Sequence, residues 1–243
     1  MKRPHMKQIS KTSGLALILA AAMTAHAQTI VGSGGEHVDI GAAYDHDSNE
    51  WELHVHDESN DLEYFPATDA RLFVGLGANT TVPAGVQWSF LGASGSETWI
   101  LPNTPTAGLM LLGFGAEEIE AGTFVGDQFT LSLKAVSGPG TFAVFDLDSF
   151  NNPVVRMNSA DGFSSADDFV LPAGAHSDVN FAFSAPGNYT VTFEAFGNST
   201  LNGATSSGNV DFLFQVEAVP EPGTAALAGA GALALWLVRR QKN

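Results

Sequence analysis

The chain has 243 residues, with 26 acidic and 10 basic side chains, a formal net charge of −16 and no cysteine. A surface of that sign repels phosphate backbones and gains nothing from counterion release, which excludes a nucleic-acid partner, while it attracts cations. Without cysteine there is no disulfide framework, so stability rests on an apolar core or a bound metal; 17 Phe and four Trp supply such a core.

From the N-terminus, Lys2, Arg3, Lys7 and Lys11 form a basic region, Leu15 to Met23 an apolar one, and Ala25-His26-Ala27 a small-x-small cleavage site. These are the three parts of a secretory signal peptide over residues 1–27. The body, residues 28–218, keeps every acidic residue but Glu221 and only Arg71, Lys134 and Arg156 as bases. Period-two alternation runs through it, in Thr130–Val136, Thr141–Phe145, Asn180–Phe183 and Tyr189–Glu194, as half-buried strands require. Turn signals separate these runs at Ser137-Gly138-Pro139-Gly140, Asn151-Asn152-Pro153, Pro172-Ala173-Gly174 and Ala185-Pro186-Gly187-Asn188. The pattern predicts an all-β antiparallel sandwich, jelly-roll or immunoglobulin-like, with Gly197–Gly208 as a long hairpin loop before a last strand at Val210–Val216.

Residues 219–243 form a separate tail. Val219-Pro220-Glu221-Pro222-Gly223 precedes an apolar run from Thr224 to Val238 that ends on Arg239-Arg240-Gln241-Lys242-Asn243. Pro220 and Pro222 block helical continuation upstream, and the run is shorter than the roughly 20 apolar residues of a comfortable spanning helix. A short single span is expected, with the three basic residues on the cytoplasmic side. Hinge, helix and basic end resemble the PEP-CTERM sorting signal of Gram-negative bacteria. That resemblance implies an exosortase-type processing peptidase as partner, transient anchoring in the inner membrane, and delivery to the outer surface or extracellular matrix.

A second resemblance lies in the body. Gly35-Glu36-His37-Val38-Asp39-Ile40-Gly41, Trp51–Glu58, Glu97–Pro102, Gly138-Pro139-Gly140 and Ala175–Phe183 are similar to the surface domain called choice-of-anchor M, over roughly Gly35 to Phe196. The resemblance implies a surface-anchored domain without a settled activity, some of whose relatives are similar to proteins beside metal-type uptake transporters. One motif departs from that family: the late His-x-His-x-Asn-Trp is here His176-x-Asp178-x-Asn180-Phe181, so a carboxylate replaces the second imidazole.

The candidate ligands follow from strand spacing. His37-x-Asp39, His54-x-His56 and His176-x-Asp178 each put two donors on one face of a strand, with apolar residues such as Val38, Ile40, Leu53 and Val55 facing the other way. If those strands adjoin, His37, His54, His56, His176, Asp39 and Asp178 converge on one divalent ion. Imidazole-rich ligation favours Zn, ahead of Mn, Cu, Fe or Ni. Ca has weaker candidates in Asp45–Glu50, where Glu50 stands in place of the loop glycine, and in the acidic turns at Asp57–Asp61 and Ala166–Asp168. Asp45–Glu50 reads more simply as a hairpin turn.

Catalytic templates fail. There is no Cys nucleophile and no His-Glu-x-x-His; Gly92–Ser96 does not match Gly-x-Ser-x-Gly, and Gly75-Leu76-Gly77 and Gly113-Phe114-Gly115 lack the third glycine of a nucleotide loop. The expectation is a non-enzymatic, exported binding protein. Its alternatives are a structural or adhesive module of extracellular polysaccharide, with Trp51, Trp88 and Trp99 as stacking platforms, and a metal-dependent hydrolase using the same histidines.

Overall fold

The computed structural model describes residues 28–220. In chain order its strands are β1 (Thr29–Val31), β2 (His37–Asp45), β3 (Glu50–Asp57), β4 (Leu62–Tyr64), β5 (Ala70–Val74), β6 (Asn79–Thr81), β7 (Glu97–Leu101), β8 (Leu111–Gly115) and β9 (Gln128–Ser137). The second half adds β10 (Phe142–Leu147), β11 (Pro153–Asn158), β12 (Asp168–Pro172), β13 (His176–Asp178), β14 (Asn180–Phe183), β15 (Gly187–Ser199), β16 (Gly203–Ser206) and β17 (Val210–Val216). Short 3-10 turns at Leu76–Ala78, Val86–Leu91 and Ser165–Asp167 are the helical elements among the described residues. None is long and apolar enough to cross a membrane. The expected signal peptide and the tail helix lie outside the described residues.

The strands form three sheets, ordered β1-β5-β17-β15-β9-β12 with β16 beside β15, β11-β10-β14-β7-β6, and β13-β8-β2-β3-β4. The all-β expectation holds, but the purely antiparallel one is corrected. β1 and β17 both run parallel to β5, and β2 runs parallel to β8. Parallel neighbours need a long crossover rather than a hairpin, and the chain from β3 to β7 supplies one between β2 and β8. The glycine-rich Gly197–Gly208 stretch also differs from the expected loop, because β15 continues through Ser199 and pairs with β16 in a hairpin. The four turn signals fall between β9 and β10, β10 and β11, β12 and β13, and β14 and β15, as their Pro and Gly content requires.

One apolar cluster joins all three sheets. Phe142, Phe181, Phe183, Phe193, Phe212 and Phe214 are fully buried in it and meet at ring separations between 5.2 and 6.2 Å. Each such side chain contributes about 1.5–3 kcal/mol by burial. The sheet β13-β8-β2-β3-β4 turns Val38, Ile40, Ala42, Leu53, Val55, Leu112 and Phe114 into this core. Its opposite face therefore presents the alternate residues: His37, Asp39, Gly41, His54, His56, Gly113, Gly115, His176 and Asp178.

Candidate metal centre

Register decides what meets on that outer face. Asp39 lies opposite Gly113 of β8 on one side and His56 of β3 on the other, while Asp178 of β13 lies opposite Gly113 from the far side. One step along, His176 faces Gly115, Gly115 faces Gly41, and Gly41 faces His54. β8 thus separates β2 and β13, yet both of its outer-face positions between them, 113 and 115, are glycine. A Cβ on Gly113 would sit 2.9 Å from His176 Nε2 and 3.1 Å from Asp178 Oδ1, and closer still to Asp39 Oδ1. The side chains of β2 and β13 meet over β8 because this residue has none.

His37, Asp39, His176 and Asp178 form one group, with ligand atoms all within 4.8 Å of one another. His176 Nε2 lies 3.1 Å from His37 Nε2, 3.1 Å from Asp39 Oδ1 and 3.4 Å from Asp178 Oδ1. His37 Nε2 lies 3.3 Å from Asp178 Oδ1 and 3.9 Å from Asp39 Oδ1. One ring nitrogen carries at most one proton, so the short approaches around His176 cannot all be hydrogen bonds. Four ligands at about 2.1 Å from a tetrahedral Zn would stand roughly 3.4 Å apart, and these separations scatter about that value.

Asp39 is 1% exposed, and its Oδ2 has no hydrogen-bond partner; neither has the buried Oδ1 of Asp178. Burial raises the Asp39 carboxyl from 3.8 to about 6; His176 and His37 oppose that rise, and Glu117 and Glu58 add to it. Two carboxylates and two neutral imidazoles carry a charge of about −2, the complement of one divalent cation.

His54 and His56 do not join this group. They gather instead with Glu118, which follows β8 in a turn held by Ile119 N–H donating to the Ala116 carbonyl at 3.0 Å, with Ala116 and Ile119 themselves buried. The expected six-residue convergence on a single ion is therefore corrected to two neighbouring groups. The reason is geometric: β3 lies on the side of β2 away from β8 and β13. A third group, Asp39, Glu58 and Glu117, lies between them and shares Asp39.

Sequence reasoning missed Glu118, Glu117 and the glycines. The signal available for the glycines was Gly113-x-Gly115, small residues at strand spacing in phase with the histidine pairs, where a side chain would enter the space of Asp39, His176 and Asp178.

The other candidates have structural occupations. Asp45 Oδ1 accepts from the Asp47 and Ser48 N–H groups at 2.8 and 3.1 Å and closes the β2–β3 turn. Asp57 accepts from Asn60, and Asp167 belongs to the capping box of the Ser165–Asp167 turn. Trp99 is buried, Trp51 stacks on Phe124 at 5.1 Å and donates to Thr205 Oγ1 at 3.1 Å, and half-buried Trp88 packs on Phe90 and Phe145.

No curated protein and no solved structure matches the chain. Residues 218–241 match the PEP-CTERM protein-sorting motif, so the tail carries the signal that directs exported proteins to exosortase processing at the cell envelope of Gram-negative bacteria.

Proposed function

We propose that this exported protein is a non-enzymatic binder of a divalent cation, zinc before manganese or copper, held by His37, Asp39, His176 and Asp178. The observation that carries the reading is the set of mutual distances from 3.1 to 3.9 Å among two imidazole nitrogens and two carboxylate oxygens. Octahedral Mn or Ca would call for more oxygen donors than these four side chains present. Four protein ligands close a zinc coordination sphere, whereas hydrolytic centres keep a position for water. This supports capture or structural stabilisation over catalysis. The likeness of the body to choice-of-anchor M domains, some with relatives similar to proteins beside metal-uptake transporters, agrees with a metal-handling role at the surface. The polysaccharide-module alternative is weaker, since the three tryptophans offered as platforms are occupied in packing.

The test is equilibrium dialysis of chelator-treated full-length protein against Zn²⁺, beside a His37→Gln/His176→Gln variant. Wild type should retain zinc that the variant does not. Zinc retention by the variant equal to wild type would remove the proposal.

A further inference from the structure

The group left outside the first centre has its own ligand geometry. His54 is 2% exposed, and neither of its ring nitrogens has a hydrogen-bond partner, although Glu118 Oε1 lies 3.0 Å from Nε2 in a direction unsuited to a hydrogen bond. A buried imidazole with both nitrogens unpartnered is costly, so such a group calls for a partner that satisfies it. The Nε2 end lies over Gly41, where a Cβ would overlap the ring. His54 borders a cleft of about 40 Å³ whose lining also includes Asp39, Gly41, His56, Glu117 and Glu118. A water-sized probe needs about 10–15 Å³, so the cleft has room for an ion and a water together. His56 has a carboxylate beside its other ring nitrogen, with Glu58 Oε1 3.1 Å from Nδ1.

We propose that this cleft is a second divalent-cation site, with His54, His56 and Glu118 as its ligands and the Asp39 carboxylate as the wall shared with the first. The proposal extends the metal-binding reading of the first centre, from which it differs in kind. Three protein ligands leave a coordination position for water or a small anion, so this is the exchangeable site and the four-ligand centre the closed one. Two imidazoles and one carboxylate leave a charge of about +1 on a bound divalent ion. Glu117 and Glu58, grouped with Asp39 at the lip, offset it.

Co²⁺ reports both number and openness. Chelator-treated full-length protein should take up two Co²⁺ per chain, with visible absorption that azide perturbs. The His37→Gln/His176→Gln variant should bind one and stay azide-sensitive, and His54→Gln/Glu118→Gln should bind one and be azide-insensitive. Glu118→Gln alone changes a half-exposed turn residue outside the core, so it should fold normally and weaken the second Co²⁺ at least tenfold. A single Co²⁺ in wild type, lost with His37 and His176, would overturn the second site and leave the first standing. No Co²⁺ in wild type would overturn both, and unchanged second-ion affinity in Glu118→Gln would overturn the ligand assignment.

Discussion

Asp39 is buried, and one of its carboxylate oxygens has no hydrogen-bond partner. Burial raises its carboxyl from the ordinary 3.8 to about 6, with His176 and His37 resisting and Glu117 and Glu58 reinforcing the rise. A folded-state pKa above the unfolded one means that the folded state binds the proton more tightly. The contribution of Asp39 to stability is then fully present below the unfolded pKa and is lost as pH rises through the folded value. Between about pH 4 and pH 6, ion-free protein should lose on the order of 3 kcal/mol from this group, at about 1.4 kcal/mol per unit. Urea unfolding in chelator across that window measures it. Zn²⁺ added at pH 7 should restore the loss, and Asp39→Asn should flatten the pH profile. A wild-type profile already flat in chelator would contradict the assignment.

Gly113 gives a second residue-level outcome. A methyl group there enters the space of Asp39, His176 and Asp178 at once. Gly113→Ala should therefore lower zinc affinity at least tenfold while the circular dichroism of the sheets is retained. Unchanged affinity by competition with a chromophoric chelator would show that the four side chains do not need that space.

At the scale of elements, the proposed first centre would act as a clasp across β8. β13 is a three-residue edge strand whose pairing in its sheet is with β8, and few backbone bonds hold so short a strand. An ion shared by His176 and Asp178 of β13 with His37 and Asp39 of β2 would tie that edge to the sheet interior. Amide exchange over residues 176–178 should accordingly slow on adding zinc and quicken in chelator, while β15 in the neighbouring sheet stays unchanged. Equal exchange in both conditions would dissociate the ion from the edge.

The ligand pairs themselves were legible, since alternation alone puts His37 with Asp39 and His176 with Asp178 on one strand face. Their meeting was not. It depends on β2 and β13 flanking the same glycine-bearing strand, although His37 and His176 are 139 positions apart in sequence. The same limit explains the misassignment of His54 and His56, whose spacing is identical in kind but whose strand lies on the other side of β2. Glu118 was illegible for another reason: it projects from a turn, where no period fixes direction.

For the whole molecule, the acidic balance and the sorting tail acquire a common sense. An envelope-directed protein with a net charge of −16 concentrates cations around itself, and long-range attraction of this sort is screened over about 8 Å at physiological ionic strength. Local geometry must then supply the selectivity that diffuse charge lacks. One apolar cluster joins all three sheets, so metal is expected to add stability rather than create the fold, unlike small domains that are unfolded without zinc. The magnitude follows from linkage. At free Zn²⁺ about 100-fold above the dissociation constant of the first centre, binding adds about 2.7 kcal/mol. For a folded body of this size each kcal/mol moves the melting temperature by about 2–4 °C. A calorimetric rise of roughly 5–10 °C is expected in wild type, with the larger part lost in His37→Gln/His176→Gln. Raising the salt from low to physiological concentration should shrink the rise by weakening the ion's affinity, whereas a salt-independent shift would mean that only the four side chains, and not the surrounding acidic field, govern capture.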